Sequence, residues 1–148
     1  MGTKDGMTTD EKNGFNTNLE LGSPVLGQPK LMGAPVLKVM GLGGGGCNAI
    51  GRMNKDKLGL VDYYGINTDA QHLARCEVDN KVTLGAHLTR GLGVGANPEL
   101  GRQAAEESRE ELERALDGAD MVFIAAGMGG GTGTGAAPVI AQMAKEAG

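Results

Sequence analysis

The chain has 148 residues, enough for one domain with a single core and too few for two full domains. A net charge of −4 without blocks of like charge argues against a nucleic-acid surface, and no apolar run approaches the ~20 residues of a membrane-spanning helix. Glycine, at 27 residues, far exceeds the roughly 7% of ordinary proteins, yet it is not periodic and gathers in three clusters between apolar runs, which suits functional loops rather than collagen or disorder.

With no Trp, two Phe and two Tyr, the core has to be built from Val, Leu, Ile, Ala and Met. Residues 1–34 are rich in Gly, Asn, Thr and Lys and lack either apolar period, so they are expected to be a disordered tail. The first 18 residues have no apolar segment of the secretory kind. Cys47 and Cys76 stand in unlike contexts with no second pair, which disfavours a disulfide framework or zinc site and makes a reducing cytoplasm the default.

The ordered unit, residues 35–148, opens with the apolar run 36–40, which reads as a buried strand. The glycine loop 41–46 follows, then a helix over 48–58 with Ile50, Met53 and Leu58 on one face and Gly59 as its stop. A second strand spans 61–66 and ends at Asn67, and 70–75 reads as a short helix. A weak third strand covers 81–84, and 85–96 is a loop carrying Gly91, Gly93 and Gly95.

The clearest helix starts after Asn97 as N-cap, with Pro98 at its first position and Glu99 at the positive end of the dipole. Leu100, Ala104, Leu112, Ala115 and Leu116 give its apolar stripe, and Gly118 ends it. Arg109 with Glu113 and Glu110 with Arg114 are spaced for i,i+4 pairs, and the acidic stretch 106–113 reads as a solvated face. A fully apolar fourth strand covers 121–126. The densest glycine loop, 127–135, precedes a last helix over 136–147 that tolerates Pro138 in its first turn. Strands alternating with helices predict a doubly wound, Rossmann-like α/β fold with a parallel sheet in the order 3-2-1-4.

In such a sheet all three glycine loops share the carboxyl edge and lead toward helix N-termini, which supply N–H donors and about half a positive charge for phosphate. Gly43, Gly44, Gly45, Gly46, Cys47 and Asn48 form a first candidate cradle, and the segment from Gly129 to Gly135 a second, to which Thr132 and Thr134 can add hydroxyl donors. Neither loop continues as Gly-Lys-Ser/Thr, so neither is a Walker loop. With no Lys inside either cradle, neutralisation falls to helix dipoles, backbone N–H groups and Mg²⁺.

Other readings compete. Gly41 to Gly46 also fits the G-x-G-x-x-G of dinucleotide-binding oxidoreductases, whose second strand should end in an acid on the ribose. Here Asn67 ends it and Asp69 follows two residues later, which leaves that test ambiguous. The second cradle is what a dinucleotide reading leaves unexplained. His72 and His87 read as surface or packing residues, and Cys76 as inert. Cys47, at a helix N-terminus, could have a lowered thiol pKa, against the plainer reading of a small residue filling a tight turn.

The segment 127–135, GMGGGTGTG, resembles the signature of the tubulin/FtsZ family in its FtsZ form. Residues 43–48 resemble that family's first nucleotide loop, residues 67–71 its NTDAQ segment, and residues 91–98 its GLGAGANP loop with Val94 where Ala is usual. Cys47 stands where many members have Gly or Ser. The resemblance runs from about Val36 to Gly148. It implies a GTP- or GDP-binding, Mg²⁺-using GTPase of the cytoplasm that assembles head to tail with copies of itself at the mid-cell division ring. It implies nucleotide contacts at Gly44, Gly45, Gly46, Cys47 and Asn48, and a γ-phosphate-facing loop at Gly95, Ala96 and Asn97. Gly129, Gly130, Gly131, Thr132 and Gly133 would hold phosphates, and Asp69 would lie near phosphates and metal.

The resemblance further implies that the family's guanine-reading strands, central helix, C-terminal domain and the catalytic acid delivered by a neighbour lie beyond Gly148, as do the contacts to other division proteins. The expectation is therefore a truncated GTP-binding domain that binds phosphate weakly and assigns no catalytic residue of its own, or a non-catalytic fragment that caps filaments.

Overall fold

In the computed structural model, the described residues are 33–56 and 59–148. The expected tail therefore lies outside them except for Gly33 and Ala34, and so does Leu58. Ten elements follow in the order β1 (Leu37–Leu42), α1 (Gly43–Lys55), β2 (Val61–Asn67), α2 (Ala70–Arg75), β3 (Asn80–Thr83), α3 (Ala86–Thr89), α4 (Pro98–Glu107), α5 (Arg109–Leu116), β4 (Met121–Ala126) and α6 (Thr132–Ala147). All strand pairs are parallel and the order is β3-β2-β1-β4, the doubly wound arrangement that the alternation of elements predicts.

Period-2 alternation divides the strand side chains between two cores. Met40, Leu42 and Ile66 point to the side where Leu84, Ala104, Leu112, Ala136 and Ile140 pack. Val39 and Tyr63 point to the other, with Cys47 and Ile50 of α1, Leu73 of α2 and Cys76. On that second face β4 is an edge strand with Met121 54% and Phe123 51% exposed, in register with Leu37 and Val39.

Several local expectations shift for tertiary reasons. β1 runs on to Leu42, and α1 begins at once at Gly43, so the first glycine run is the opening turn of a helix rather than a loop. Likewise α6 starts at Thr132, four residues early, which places Pro138 inside the helix instead of in its first turn. Met53 is 37% exposed and lies off the buried face that Ile50 occupies, and α1 ends at Lys55, before Gly59.

The long helix is broken in two at Ser108. Ser108 is buried, and its Oγ accepts a hydrogen bond from Gly85 N at 2.9 Å, so a long-range contact takes precedence over helix continuity. The break also changes the surface ion pairs. Arg109 meets Glu106 at 3.1 Å and Arg114 meets Glu111 at 3.8 Å, both i,i+3, in place of the expected i,i+4 partners. Gly118 follows the Asp117 C-cap with φ +70°, as expected of a helix-ending glycine.

Lys38 is unusual for a central strand, being only 5% exposed. Its Nζ donates to the carbonyl oxygens of Ala115 at 2.8 Å and Asp117 at 2.7 Å. A cation thus closes the negative end of α5 from inside the fold. Among the described residues, no helix is long and apolar enough to cross a membrane.

Candidate functional site

The carboxyl ends of β1 and β4 open into a hollow of about 320 Å³. Its lining comes from the first turn of α1 (Gly43, Gly44, Gly45), from Gly95, and from the segment entering α6 (Gly130, Gly131, Thr132, Gly133), with Leu42, Gly127 and Met128 completing it. No lining residue carries a charge. The three glycine segments therefore converge, as their positions after parallel strands require.

Close backbone packing explains why glycine recurs here. A Cβ on Gly131 would overlap the Gly95 carbonyl oxygen and sit 2.7 Å from Val94 Cγ2. A Cβ on Gly46 would overlap the Ala125 carbonyl oxygen. Gly46 is thus a spacer that lets α1 lie directly on β4.

Two helix N-termini face this hollow, and both differ from those of α2 and α4. α2 is capped by Asp69, whose Oδ1 accepts from His72 N at 2.9 Å, and α4 by Asn97, whose Oδ1 accepts from Leu100 N at 3.2 Å. At α1 and α6 the N-cap residues are Leu42 and Gly131, and neither provides a side-chain cap. Neither first turn holds an acid. The positive ends of a 13-residue and a 16-residue helix are thus turned toward one uncharged cavity.

The hydroxyls are partly committed. Thr132 Oγ1 lies 2.7 Å from Thr68 Oγ1, in a buried contact in which one of the two donates and the other keeps its own hydrogen. Thr134 Oγ1 accepts from Gly129 N at 3.0 Å, which leaves its own hydrogen free to donate.

Other expected site residues are placed around the hollow rather than on its wall. Gly46 and Cys47 are buried beneath it, whereas Asn48, Ala96, Asn97 and Gly129 are exposed. Asp69 sits half-buried at the start of α2, with its Cβ 3.5 Å from where a Cβ on Gly93 would be. Burial, and next the charge of Cys76, push the Cys47 thiol up to about 12, opposite to the lowering that a helix N-terminus alone suggests. His72 has a packing role, since a Cβ on Gly44 would come within 3.2 Å of its Cε1.

Leu42 and Met128 line the hollow without having been singled out. Leu42 is buried and Met128 is 68% exposed at the rim. Met128 lies within the glycine-rich signature, which marks the loop but not which of its side chains faces the cavity. Thr68 was legible as part of the NTDAQ segment, but its contact with Thr132 spans 64 residues and has no local signal.

The model of the Tubulin/FtsZ family, GTPase domain, matches residues 36–148. The cell division protein FtsZ of Buchnera aphidicola subsp. Acyrthosiphon pisum (strain APS) is 58% identical over 113 residues, covering 76% of this chain and 29% of the relative. The FtsZ of Buchnera aphidicola subsp. Schizaphis graminum (strain Sg) is 59% identical over the same length, again 29% of the relative. The chain therefore spans less than a third of these relatives. Among solved structures, an empty FtsZ dimer of M. jannaschii aligns with a TM-score of 0.77 at 47% identity, covering 79% of this chain and 34% of the other. The GDP-bound monomer of CetZ1 from Haloferax volcanii aligns at 0.69 and 30% identity, covering 74% and 37%. A dinucleotide oxidoreductase is thereby set aside, and the chain belongs to the tubulin/FtsZ family, with residues 36–148 being sequence of its GTPase domain.

Proposed function

We propose that this chain binds GTP or GDP by its phosphates in the hollow between α1 and α6, as part of a self-assembling GTPase of bacterial division. The observation that carries this reading is the pair of helix N-termini without side-chain caps, turned toward one uncharged glycine- and threonine-lined cavity. Backbone N–H groups of Gly44 and Gly45 on one side, and of Gly130, Gly131, Thr132 and Gly133 on the other, would donate to phosphate oxygens. Gly46, Cys47, Asn48 and Gly129 would support these contacts, and Gly95, Ala96 and Asn97 would close the terminal-phosphate side. Family membership and the dimeric FtsZ neighbour support assembly with further copies, and similarity to cell division proteins supports a role in division, for which a place at the division ring in the cytoplasm is the proposed location.

Mg²⁺ fits this site only as a companion of the nucleotide. Among the described residues no group of three His, Cys, Asp or Glu could hold a metal, and no carboxylate lines the hollow. The ion would be held by phosphate oxygens and water with Asp69 nearby, and would add charge neutralisation that the chain's uncharged lining lacks.

The same lining offers no acid or base to activate water, so this chain by itself binds without steady turnover. The test is equilibrium binding of fluorescent GTP with Mg²⁺, with ATP and NADH as competitors and phosphate release followed in parallel. GTP binding that ATP displaces through its phosphates and NADH does not, with negligible release, is expected. Displacement by NADH alone, or no nucleotide binding by the folded chain, would overturn the reading.

A further inference from the structure

A second hollow, of about 300 Å³, lies beside α1 and the end of α2, with Cys47, Arg52, Lys55, Arg75, Cys76 and Glu77 in its lining. Both cysteines are free thiols, 1% and 8% exposed respectively. Cys47 lies near the start of α1 and Cys76 is the C-cap of α2, yet their sulfurs rest on adjacent residues of β2. Cys47 Sγ is 3.8 Å from the Ile66 carbonyl oxygen. Cys76 Sγ is 3.1 Å from the place of a Cβ on Gly65. Glycine at 65 thus leaves the room that Cys76 occupies.

Cys76 Sγ also donates to the Cys47 carbonyl oxygen at 3.5 Å, which brings that sulfur against the backbone of the other cysteine. The raised pKa of the Cys47 thiol, due first to burial and next to Cys76, is in keeping with this closeness.

We propose that Cys47 and Cys76 are a modification site, joined as an intrachain disulfide by an oxidant of the peroxide class that enters through this hollow. Cys76, the more exposed of the two, reacts first. Its thiolate sulfur attacks one peroxide oxygen, the O–O bond breaks and hydroxide leaves, which gives a sulfenic acid. The Cys47 sulfur then attacks the Cys76 sulfur. The S–S bond forms, the S–O bond breaks, and the departing hydroxide takes the Cys47 proton away as water. In total two thiols give up two electrons and two protons, and the peroxide becomes two waters. The bond ties α1 to the end of α2, and because Cys47 directly follows Gly46 it also fixes the first turn of α1.

The test treats the whole chain with hydrogen peroxide, then denatures it, alkylates free thiols with N-ethylmaleimide and measures intact mass. Expected are loss of both alkylatable thiols, a mass lower by two hydrogens and a Cys47–Cys76 cross-linked peptide, all reversed by dithiothreitol. The Cys47→Ser variant is expected to leave Cys76 as a sulfenic acid that dimedone traps. Sulfinic acid at either position, disulfide-linked pairs of chains, or two thiols still open to alkylation would each overturn the proposal. Running the oxidation in urea keeps the test sharp, because cross-linking has to be slower in the unfolded chain, and equal rates would also overturn it.

Discussion

Thr68 and Thr132 face each other through their hydroxyls at 2.7 Å, and Thr68 also accepts from Gly93 N through its carbonyl oxygen at 3.1 Å. One residue after β2 therefore fastens both the α6 entry and the loop that precedes α4. Thr68 is fully buried, which removes water as a substitute partner for its hydroxyl.

Replacing Thr132 by Val keeps the shape and strands the Thr68 hydroxyl in the interior. The expected cost is about 1–3 kcal/mol, the usual penalty for an unsatisfied buried group. Thr68→Val with Thr132→Val should cost less than the sum of the two single changes, since neither polar group is then left unpaired. Urea denaturation of the three variants measures this, and simple additivity would show that the two hydroxyls do not act on one another.

Lys38→Met tests the buried cation at the end of α5. Methionine fills similar space but leaves the Ala115 and Asp117 carbonyl oxygens without their donor. Hydrogen bonds to charged groups contribute roughly 1.5–3 kcal/mol each, so a loss of about 3–6 kcal/mol is expected from the pair. The ammonium serves α5 and does not line the phosphate-facing hollow. Nucleotide affinity of the folded variant should consequently be unchanged.

Strand order and the convergence of the glycine segments were legible because each rests on local signals plus one rule. An apolar run followed by glycine and a helix places that glycine at the carboxyl edge of a parallel sheet, wherever the strand sits. The extents of β4 and α2 match the apolar run 121–126 and the short helix 70–75 read from the sequence, and Asn97 caps α4 as expected. Long-range contacts were not legible. Ser108 interrupts its helix to serve Gly85, and Lys38 reads as one polar residue in a strand until the end of α5 arrives above it. Cys47 shows the same limit. Its helix-terminal position suggests an easily ionised thiol, whereas burial against β2 and Cys76 decides the opposite sign.

That sign makes a pH prediction. The Cys47 thiol is raised from 9.0 to about 12, so the fold favours its protonated form. The resulting stability is fully present below pH 9.0, declines above it and is lost as pH rises through about 12. Cys47→Ala removes this contribution, so the urea midpoint of the variant should fall less steeply across that alkaline window. Identical slopes would mean that another group controls alkaline unfolding.

Gly45 and Gly46 are neighbours in the first turn of α1, yet alanine should act on them in opposite ways. At Gly46 the added Cβ overlaps the Ala125 carbonyl oxygen and lies 2.9 Å from Gly41 C, so α1 has to move off the sheet. Overpacking of this kind costs about 1–3 kcal/mol, and nucleotide binding falls as the fold weakens. At Gly45 the nearest atom to an added Cβ is Gly127 Cα at 3.6 Å, an ordinary contact. Alanine there restricts the unfolded chain and suits a helix, and should stabilise by up to about 1 kcal/mol. The same methyl group projects at the lining of the proposed phosphate site, where it holds a ligand away from the backbone N–H groups. An affinity loss of at least about tenfold, or 1.4 kcal/mol, is expected. Thermal unfolding and fluorescent GTP titration of both variants read the two effects separately. A more stable Gly45→Ala chain that still binds GTP as the parent does would show that the first turn of α1 is not where the phosphates rest.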